Sequence, residues 1–251
     1  MNKENKLELY RMMLLIRLFE EALEEMFSRG LLHGTMHLSI GQEATATGAC
    51  LALEREDLIT STHRGHGHCL AKGADPYKMF AELLGREDGY CRGRGGSMHI
   101  ADLSNGNLGA NGIVAGSLTI SVGAALSLKI QKQDNIVLCF FGDGAVNEGS
   151  FHEALNLASL WDLPVLFVCE NNQYGMSMAS ENAVAGGSIA QRAESYGIKS
   201  ISIDGNNVEE VYNSVLEFKE TIKSSGKPMF IESVTYRYRA VSYTHLRAHE
   251  T

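Results

Sequence analysis

Short apolar runs that alternate with helical segments dominate the second half of this sequence and constrain its fold most. NIVLCFF (135–141) and PVLFVCE (164–170) have the length and composition of buried strands, and the helical segment 149–161 separates them. The pattern continues with a helix over 189–197, a strand over 199–204, a helix over 206–226 and a last strand over 227–238. Such alternation is typical of parallel βαβ units. We therefore predict an α/β fold with an open, mostly parallel sheet and helices on both faces.

The first half predicts further helices and one long loop. Apolar residues recur at helical spacing over 5–29, on the stripe Leu7, Tyr10, Leu14, Leu18, Ala22 and Phe27, and Gly30 ends the helix. Its other side is charged, so we expect it on a surface or at a subunit contact. GQEATATGACLAL predicts a helix of small residues that approaches its neighbour closely, and the glycine-rich segment 85–117 predicts an ordered loop. The organisation expected is an N-terminal helix over 1–30 and an α/β domain over 31–239.

Composition excludes several classes of protein. Of the 251 residues 44% are apolar and 21% charged, and the net charge of −8 disfavours binding to nucleic acid or to an anionic membrane. No apolar run approaches the roughly 20 residues that a membrane span needs, and MNKENKLELYR has no apolar signal-peptide centre. A cytoplasmic location is expected. The five cysteines form no C-x-x-C, which favours buried or neutral free thiols.

Polar residues follow two consecutive predicted strands. Gly142-Asp143-Gly144 follows the strand 135–141, and Asn171-Asn172 follows the strand 164–170. Since consecutive parallel strands often lie side by side, Asp143 and Asn172 should meet at the carboxyl edge of the sheet, where open α/β sheets bind ligands. Carboxylate and amide oxygens suit Mg²⁺ or Ca²⁺, and Gly144-Ala145 near a helix N-terminus suits a phosphate. A G-D-G turn alone would indicate only a helix cap, whereas its pairing with Asn-Asn favours a cofactor site.

G-D-G, 26 residues and then N-N resemble the thiamine diphosphate motif. The surrounding segments FGDGAVNEGSFHEALNLASLW and FVCENNQYGMS resemble the α subunit of the E1 component of 2-oxo acid dehydrogenase complexes, of the pyruvate and acetoin dehydrogenase type. The likeness runs from about residue 7 to Arg239. It includes HLSIGQEA (37–44), STHRGHGHCLAKG (61–73), GRGGSMHIAD (93–102) and GANGIVAGS (109–117).

This resemblance implies a cofactor and specific roles for residues. Thiamine diphosphate would bind with Mg²⁺, whose protein ligands would be Asp143, Asn172 and the main-chain oxygen of Tyr174. The remaining cofactor contacts would come from His63, Arg64, Gly112, Val114, Gly144 and Ala145. His37 matches a family histidine near the active centre and is the candidate catalytic residue. An arginine at position 64 also suits a phosphate because its guanidinium presents parallel N–H donors.

The resemblance also implies partners and a reaction. The partners expected are an E1 β subunit in an α2β2 assembly, a lipoyl-bearing E2 acyltransferase and a small substrate, either a 2-oxo acid or acetoin. The reaction expected is oxidative decarboxylation of pyruvate with acyl transfer to the lipoyl group, and cleavage of acetoin is the alternative. The carboxylate that activates thiamine comes from the β subunit in this family. Glu43, although it begins a helix, is therefore assigned a structural role.

Other readings of the sequence remain open. His63, His66 and His68 could form a zinc cluster, but no fourth ligand follows at suitable spacing, so hydrogen bonds within a polar loop are favoured for His66 and His68. A thiamine enzyme that works alone, of the transketolase or decarboxylase type, would need a second cofactor-binding half. A catalytically impaired remnant that only binds the cofactor is the third reading.

The family pattern ends after TYRYR (235–239), where Gly-His-Ser would follow. Val241 stands where the family histidine is expected, and His245 and His249 do not match it. Residues 240–251 therefore predict a tail foreign to the family, disordered or artefactual, on a C-terminally truncated domain.

Overall fold

The computed structural model describes residues 1–32 and 34–239. The helices are α1 (Lys3–Ser28), α2 (Glu43–Leu51), α3 (His66–Ala71), α4 (Pro76–Leu83), α5 (Gly116–Gln131), α6 (Gly149–Leu160), α7 (Ser180–Ala183), α8 (Ile189–Glu194) and α9 (Val208–Ser225). The strands are β1 (Leu58–Thr60), β2 (Val137–Gly142), β3 (Val165–Asn171), β4 (Tyr174–Gly175), β5 (Met178–Ala179), β6 (Lys199–Asp204) and β7 (Met229–Val234). Within these residues no helix is both long and apolar enough to span a bilayer.

Five strands form one parallel sheet in the order β1-β2-β3-β7-β6. β2 and β3 are neighbours, with Gly142 opposite Glu170, so the predicted adjacency of these two strands is confirmed. β4 and β5 form a separate antiparallel hairpin. The predicted α/β class, with a mostly parallel sheet, is therefore confirmed.

Helices cover both faces of the sheet because successive residues of the central strands point to opposite sides. Leu138 and Phe140 join a core on the side of α1, α2 and α9, whereas Cys139 and Phe141 join a core on the side of α5, α6 and α8. Both clusters consist of buried apolar side chains. The near-continuous apolar runs of β2 and β3 reflect this two-sided burial.

Local signals set several helix ends. Asp75 caps α4 by accepting a hydrogen bond from the Tyr77 N–H at 2.8 Å, with Pro76 at the first helical position. The predicted close approach of the small-residue helix is confirmed, since a Cβ on Gly48 in α2 would lie 2.8 Å from Val211 of α9. Small side chains therefore allow α2 to lie directly against α9.

The buried face of α1 differs from the predicted stripe. Leu7, Tyr10, Leu14 and Leu18 are exposed, and the face that packs on the core carries Leu9, Ile16, Phe19, Glu20 and Leu23. The helix has two apolar stripes. The buried stripe includes the charged residue Glu20, so the sequence pattern does not identify it as the buried face. The carboxylate of Glu20 is buried because it accepts a hydrogen bond from Ser39 Oγ at 2.7 Å and contacts His66.

The last strand is shorter than the predicted range 227–238. β7 ends at Val234. Thr235 N–H still donates to the Asn171 carbonyl at the end of β3, and the backbone then leaves the sheet, so that Tyr238 N–H donates to the Ile40 carbonyl at 3.0 Å. The predicted tail from Ala240, including Val241, His245 and His249, lies outside the described residues.

Four cysteines, Cys50, Cys69, Cys139 and Cys169, are buried, and Cys91 is half-buried. Burial raises the pKa of the Cys69 thiol to about 12. Burial also raises the pKa values of Cys50, Cys139 and Cys169. These thiols are therefore neutral at physiological pH, as the sequence predicts.

Candidate functional site

A cavity of about 430 Å³ opens at the carboxyl edge of the sheet, beyond the ends of β2 and β3. Its volume lies within the usual range for small-ligand sites. All ten residues predicted for the site line this cavity: His37, His63, Arg64, Gly112, Val114, Asp143, Gly144, Ala145, Asn172 and Tyr174. The fold thus collects at one place residues that lie far apart in the chain.

Asp143 lies at the end of β2, in a 3₁₀ turn over Asp143–Asn147. Gly144 and Ala145 belong to this turn, and α6 begins only at Gly149. Burial raises the pKa of the Asp143 carboxyl group, although the guanidinium groups of Arg237 and Arg64 act to lower it. A buried carboxylate is stabilised in its ionised form by a nearby cation, so this position favours a metal ion.

Asn172 lies beside Asp143 at the end of β3 and is buried. Its Nδ2 donates to Gln42 Oε1 at 3.2 Å, and its Oδ1 accepts a long bond from the Tyr174 N–H at 3.4 Å. The contact with Gln42 therefore fixes the plane of the Asn172 amide. Because Nδ2 faces Gln42, Oδ1 is directed away from it.

The hairpin β4–β5 brings Tyr174 and Gly175 to the cavity. A Cβ on Gly175 would lie 3.9 Å from the Gly144 Cα, so the hairpin packs on the turn that follows β2. Gln173 and Met176 adopt positive φ values of 71° and 57°. Left-handed backbone at residues other than glycine is costly and clusters at functional sites. This part of the wall is therefore held in a strained conformation.

Two buried arginines face the cavity. Arg64 donates from Nη1 to the Leu38 carbonyl at 2.8 Å. Burial, together with the positive charge of Arg237, lowers the pKa of Arg64 to about 9. Arg64 is therefore still positive at neutral pH, and together with the guanidinium of Arg237 it forms a region suited to an anion such as a phosphate.

His37 and His63 form an edge-to-face pair, with ring centroids 4.6 Å apart. Burial, reinforced by the charge of Arg64, lowers the pKa of His63 to about 3. His63 is thus neutral at physiological pH. A neutral imidazole can donate one hydrogen bond to a phosphate but contributes no positive charge to the site.

His66 and His68 are buried in the short helix α3 and not in a polar loop, but both make the hydrogen bonds predicted for them. His66 contacts Glu20 Oε1 through Nδ1 at 3.2 Å and Ser97 Oγ through Nε2 at 2.9 Å. Both ring nitrogens of His66 therefore have hydrogen-bond partners, and these partners differ from the residue that contacts His63.

His68 lies beneath the cavity. Its Nδ1 is 2.8 Å from Ser61 Oγ, its Nε2 is 3.2 Å from Glu170 Oε1, and its ring stacks on Phe140 at 3.7 Å. Across residues 1–32 and 34–239, no three side chains of His, Cys, Asp or Glu converge in a metal-binding arrangement. His63, His66 and His68 instead have three separate sets of partners.

The loop before α5 lines the cavity at Gly112 and Val114. Ala115 has a φ of +65°, and a Cβ on Gly116 would lie 2.6 Å from Asn111 Nδ2. Asn111 Oδ1 accepts a hydrogen bond from the Ile113 N–H at 2.9 Å. The loop is therefore shaped by local contacts around Asn111.

Glu43 does not line the cavity. Its carboxylate accepts hydrogen bonds from the Gly41 N–H at 3.1 Å and from Arg17 Nε at 2.7 Å. The first contact holds the start of α2 and the second joins it to α1, so both are structural.

Sequence reasoning missed several residues of the cavity wall. Arg237 follows the last strand by three residues, Glu170 is the single charged residue of β3, and Gln42 precedes α2. A charged residue at the end of an apolar strand, and an arginine just beyond a strand end, are signals that would have identified Glu170 and Arg237.

The model of the dehydrogenase E1 component family matches residues 10–243. The chain belongs to the dehydrogenase E1 component family. It is 50% identical over 237 residues to the α subunit of an acetoin:2,6-dichlorophenolindophenol oxidoreductase from Bacillus subtilis, covering 94% of this chain and 71% of that protein. It is 40% identical over 241 residues to the α subunit of a pyruvate dehydrogenase E1 component from Rhizobium meliloti, covering 96% and 69% respectively.

The fold also matches a solved structure. An X-ray structure described as that of a thiamin diphosphate-dependent enzyme from Mycobacterium smegmatis superposes with a TM-score of 0.52 at 16% identity. The match covers 80% of this chain and 34% of that one. At this identity the likeness supports the fold alone. The family model and the two relatives confirm the resemblance to the E1 component α subunit.

Proposed function

We propose that this chain is the α subunit of an E1 component that holds thiamine diphosphate through Mg²⁺ and acts together with a β subunit. One observation carries the proposal: a single cavity at the sheet edge brings together a buried carboxylate, a fixed amide and two buried guanidinium groups. This combination suits a metal ion bound to a diphosphate.

The residues present fit the metal and the diphosphate. Asp143 supplies a buried carboxylate, and burial raises the pKa of this group. Asn172 supplies an amide oxygen, and the contact with Gln42 fixes this amide. Mg²⁺ commonly takes one or two carboxylates and fills its other positions with phosphate oxygens and water. Arg64 and Arg237 would balance the remaining negative charge of the diphosphate. The main-chain oxygen of Tyr174 is proposed as the third protein ligand.

The chain's own residues would then anchor and orient the cofactor. The backbone N–H groups of the 3₁₀ turn at Gly144 and Ala145 would donate to phosphate oxygens, and the backbone at Gly112 and Val114 would contact the aminopyrimidine ring. Thiamine diphosphate, when bound, supplies a nucleophilic carbon and an electron sink for cleaving the bond next to a carbonyl group. His37, paired with the neutral His63, is proposed to hold a proton near the reacting carbonyl.

Apolar residues at the mouth of the cavity support assembly with a partner chain. Ile113 is 73% exposed and Met176 64% exposed, and both line the opening. Exposed apolar groups around a binding site commonly mark a protein interface. We propose that the β subunit covers this mouth and supplies the carboxylate that activates the cofactor.

A pair of matched variants tests this assembly. Ile113→Asp should weaken association with the β subunit at least about tenfold, because it places a charge in an apolar interface. Leu103→Asp is the control, since Leu103 is equally exposed at 74% and does not line the cavity. Equal subunit affinity of the two variants, measured by analytical ultracentrifugation, would exclude this mouth as the interface.

Pyruvate and acetoin are the two candidate substrates, with a lipoyl group on an E2 partner as the proposed acceptor. The 50% identity to the Bacillus subtilis acetoin oxidoreductase, against 40% to the Rhizobium meliloti pyruvate dehydrogenase subunit, favours acetoin. Reduction of 2,6-dichlorophenolindophenol by the reconstituted α/β complex, with each substrate in turn, distinguishes them. Failure with both substrates, in a complex that binds the cofactor, would support the impaired remnant.

The metal assignment has a direct binding test. Asp143→Asn removes the negative charge while keeping the size of the side chain, and it should reduce Mg²⁺-dependent affinity for thiamine diphosphate at least about a hundredfold, as expected when a buried charge loses its partner. Asp88→Asn is the control, since Asp88 is exposed and outside the cavity. Isothermal titration of the α/β complex measures both. Unchanged affinity in Asp143→Asn would refute the assignment.

A further inference from the structure

The glycine-rich segment after α4 wraps around one carboxylate. Glu82, near the end of α4, is 1% exposed and accepts four backbone hydrogen bonds. Oε2 accepts from the N–H groups of Cys91 at 2.7 Å and Gly93 at 2.8 Å, and Oε1 accepts from those of Gly95 at 2.7 Å and Gly96 at 3.0 Å. These hydrogen bonds replace the water that would otherwise solvate the carboxylate. They also give acceptors to backbone N–H groups that have none within a helix or strand.

Glycines are required for this wrapping. A Cβ on Gly89 would lie 2.5 Å from Glu82 Cα and from Oε2, and a Cβ on Gly93 would lie 2.3 Å from the Gly85 carbonyl carbon. Gly93 also has a φ of +69°. A side chain at either position would push the segment away from the carboxylate, so the backbone can approach Glu82 only because these residues are glycine.

The same segment leads directly into the wall of the cofactor cavity. Ser97 Oγ is 2.9 Å from His66 Nε2, and Met98 lines the cavity. The His99 carbonyl accepts from Cys91 Sγ at 3.2 Å, and the His99 ring lies 3.5 Å from the position that a Cβ on Gly112 would take. The loop held by Glu82 thus packs against the backbone that we propose to contact the aminopyrimidine ring.

The charge of Glu82 is maintained by these contacts. Burial alone would raise the pKa of Glu82, but the four backbone N–H groups lower it below its usual range. The carboxylate is therefore ionised at neutral pH, where it is the stronger acceptor.

We propose that Glu82 is a positioning residue that fixes the loop 91–96 and, through Met98 and His99, sets the Gly112 wall of the cofactor site. The part that concerns the cofactor rests on the proposed function. The part that concerns the loop and the wall does not, because it follows from contacts within this chain.

Glu82→Gln is the decisive variant because it keeps the shape of the side chain and turns one acceptor oxygen into an NH₂ group that faces two N–H donors. The control is Glu87→Gln, which makes the same charge change at an exposed position of the same segment. Hydrogen exchange followed by mass spectrometry measures two regions, residues 91–96 and residues 98–114. Trypsin provides a second measurement, since Arg92 and Arg94 are exposed on the loop.

In Glu82→Gln we expect exchange over 91–96 to accelerate at least about tenfold, as expected when hydrogen bonds to a charged acceptor are lost. Exchange over 98–114 should also accelerate and trypsin should cut after Arg92 or Arg94, whereas Glu87→Gln should match the wild type. The α/β complex with Glu82→Gln should bind thiamine diphosphate at least about tenfold more weakly. Acceleration confined to 91–96 would overturn the positioning role, and no acceleration would overturn the loop contact itself.

A second variant and the wild-type complex keep the test decisive if Glu82→Gln does not fold or if the cofactor does not bind. If Glu82→Gln fails to melt cooperatively, Gly93→Ala replaces it. Its added Cβ would collide with the backbone of Gly85 and Arg86 and not with Glu82, so it displaces the loop while the carboxylate is unchanged, and the same two regions are measured. If the wild-type complex binds no thiamine diphosphate, the proposed function fails, while exchange over 98–114 still decides whether Glu82 sets the wall.

Discussion

Gly41→Ala tests how the start of α2 is joined to the segment that carries Arg237. Gly41 has a φ of +105°, and an added Cβ would lie 2.3 Å from the Tyr236 carbonyl oxygen. The segment must then move, which breaks the bond from Tyr238 N–H to the Ile40 carbonyl and the bond from Thr235 Oγ1 to the Gly41 carbonyl at 3.2 Å.

The magnitude follows from these contacts. Backbone strain at such a φ costs about 1–3 kcal/mol, and two lost hydrogen bonds cost about 1 kcal/mol each, so the free energy of unfolding should fall by about 3–5 kcal/mol. For a chain of this size the melting temperature should drop by roughly 6–20 °C.

Differential scanning calorimetry measures the effect, with Gly34→Ala as the control. Gly34 also has a positive φ, +88°, but nothing lies within 4 Å of its added Cβ, so that variant carries the backbone strain alone. Gly41→Ala should therefore melt below Gly34→Ala. Equal melting temperatures for the two variants would refute the argument that the Tyr236–Tyr238 segment is displaced.

Three further outcomes are expected. Gly123→Ala, at an exposed position inside α5 with no atom near its added Cβ, should raise the melting temperature by about 1–4 °C because alanine stabilises a helix by about 0.5–1 kcal/mol relative to glycine. Phe167→Ala, at a fully buried position of β3, should lower the free energy of unfolding by about 3–5 kcal/mol in urea titrations. Since burial lowers the pKa of His63 to about 3, the unfolded chain binds a proton there below about pH 6.5 that the folded chain does not, and folded stability falls as the pH decreases through this window. His63→Gln should remove this part of the loss, so its urea midpoint should decline less than that of the wild type between about pH 7 and about pH 5.

The sheet and its polar edge could be predicted because their signals are local. The apolar runs of β2 and β3 are strong, and consecutive parallel strands tend to be neighbours, so the adjacency of Asp143 and Asn172 followed from the sequence. The hairpin β4–β5 could not be predicted in this way. Each of its strands has only two residues, and the turn depends on positive φ values at Gln173 and Met176, which sequence patterns do not favour.

Long-range polar contacts explain the remaining errors. The buried face of α1 was misassigned because Glu20 is inside the protein, where Ser39 and His66 from other segments contact its Oε1. Arg237 was missed because the predicted strand continued past it, whereas the backbone leaves the sheet to bond with Ile40. Glu82 gave no signal, since its four partners lie on a later segment whose folding around it is not encoded in any periodic pattern.

The walls of the cavity come from segments of the chain between Thr35 and Arg237. Thr45 Oγ1 contacts Ser233 Oγ at 2.7 Å although 188 positions separate the two residues in the sequence. Contacts of such high sequence separation form late, because the intervening chain must be ordered first. During synthesis on the ribosome the site therefore cannot be completed until β7 and Arg237 have left the exit tunnel. Any nascent chain that stops before β7 would expose the unpaired edge of β3 and the apolar cores on both faces, and would be a natural target for chaperones.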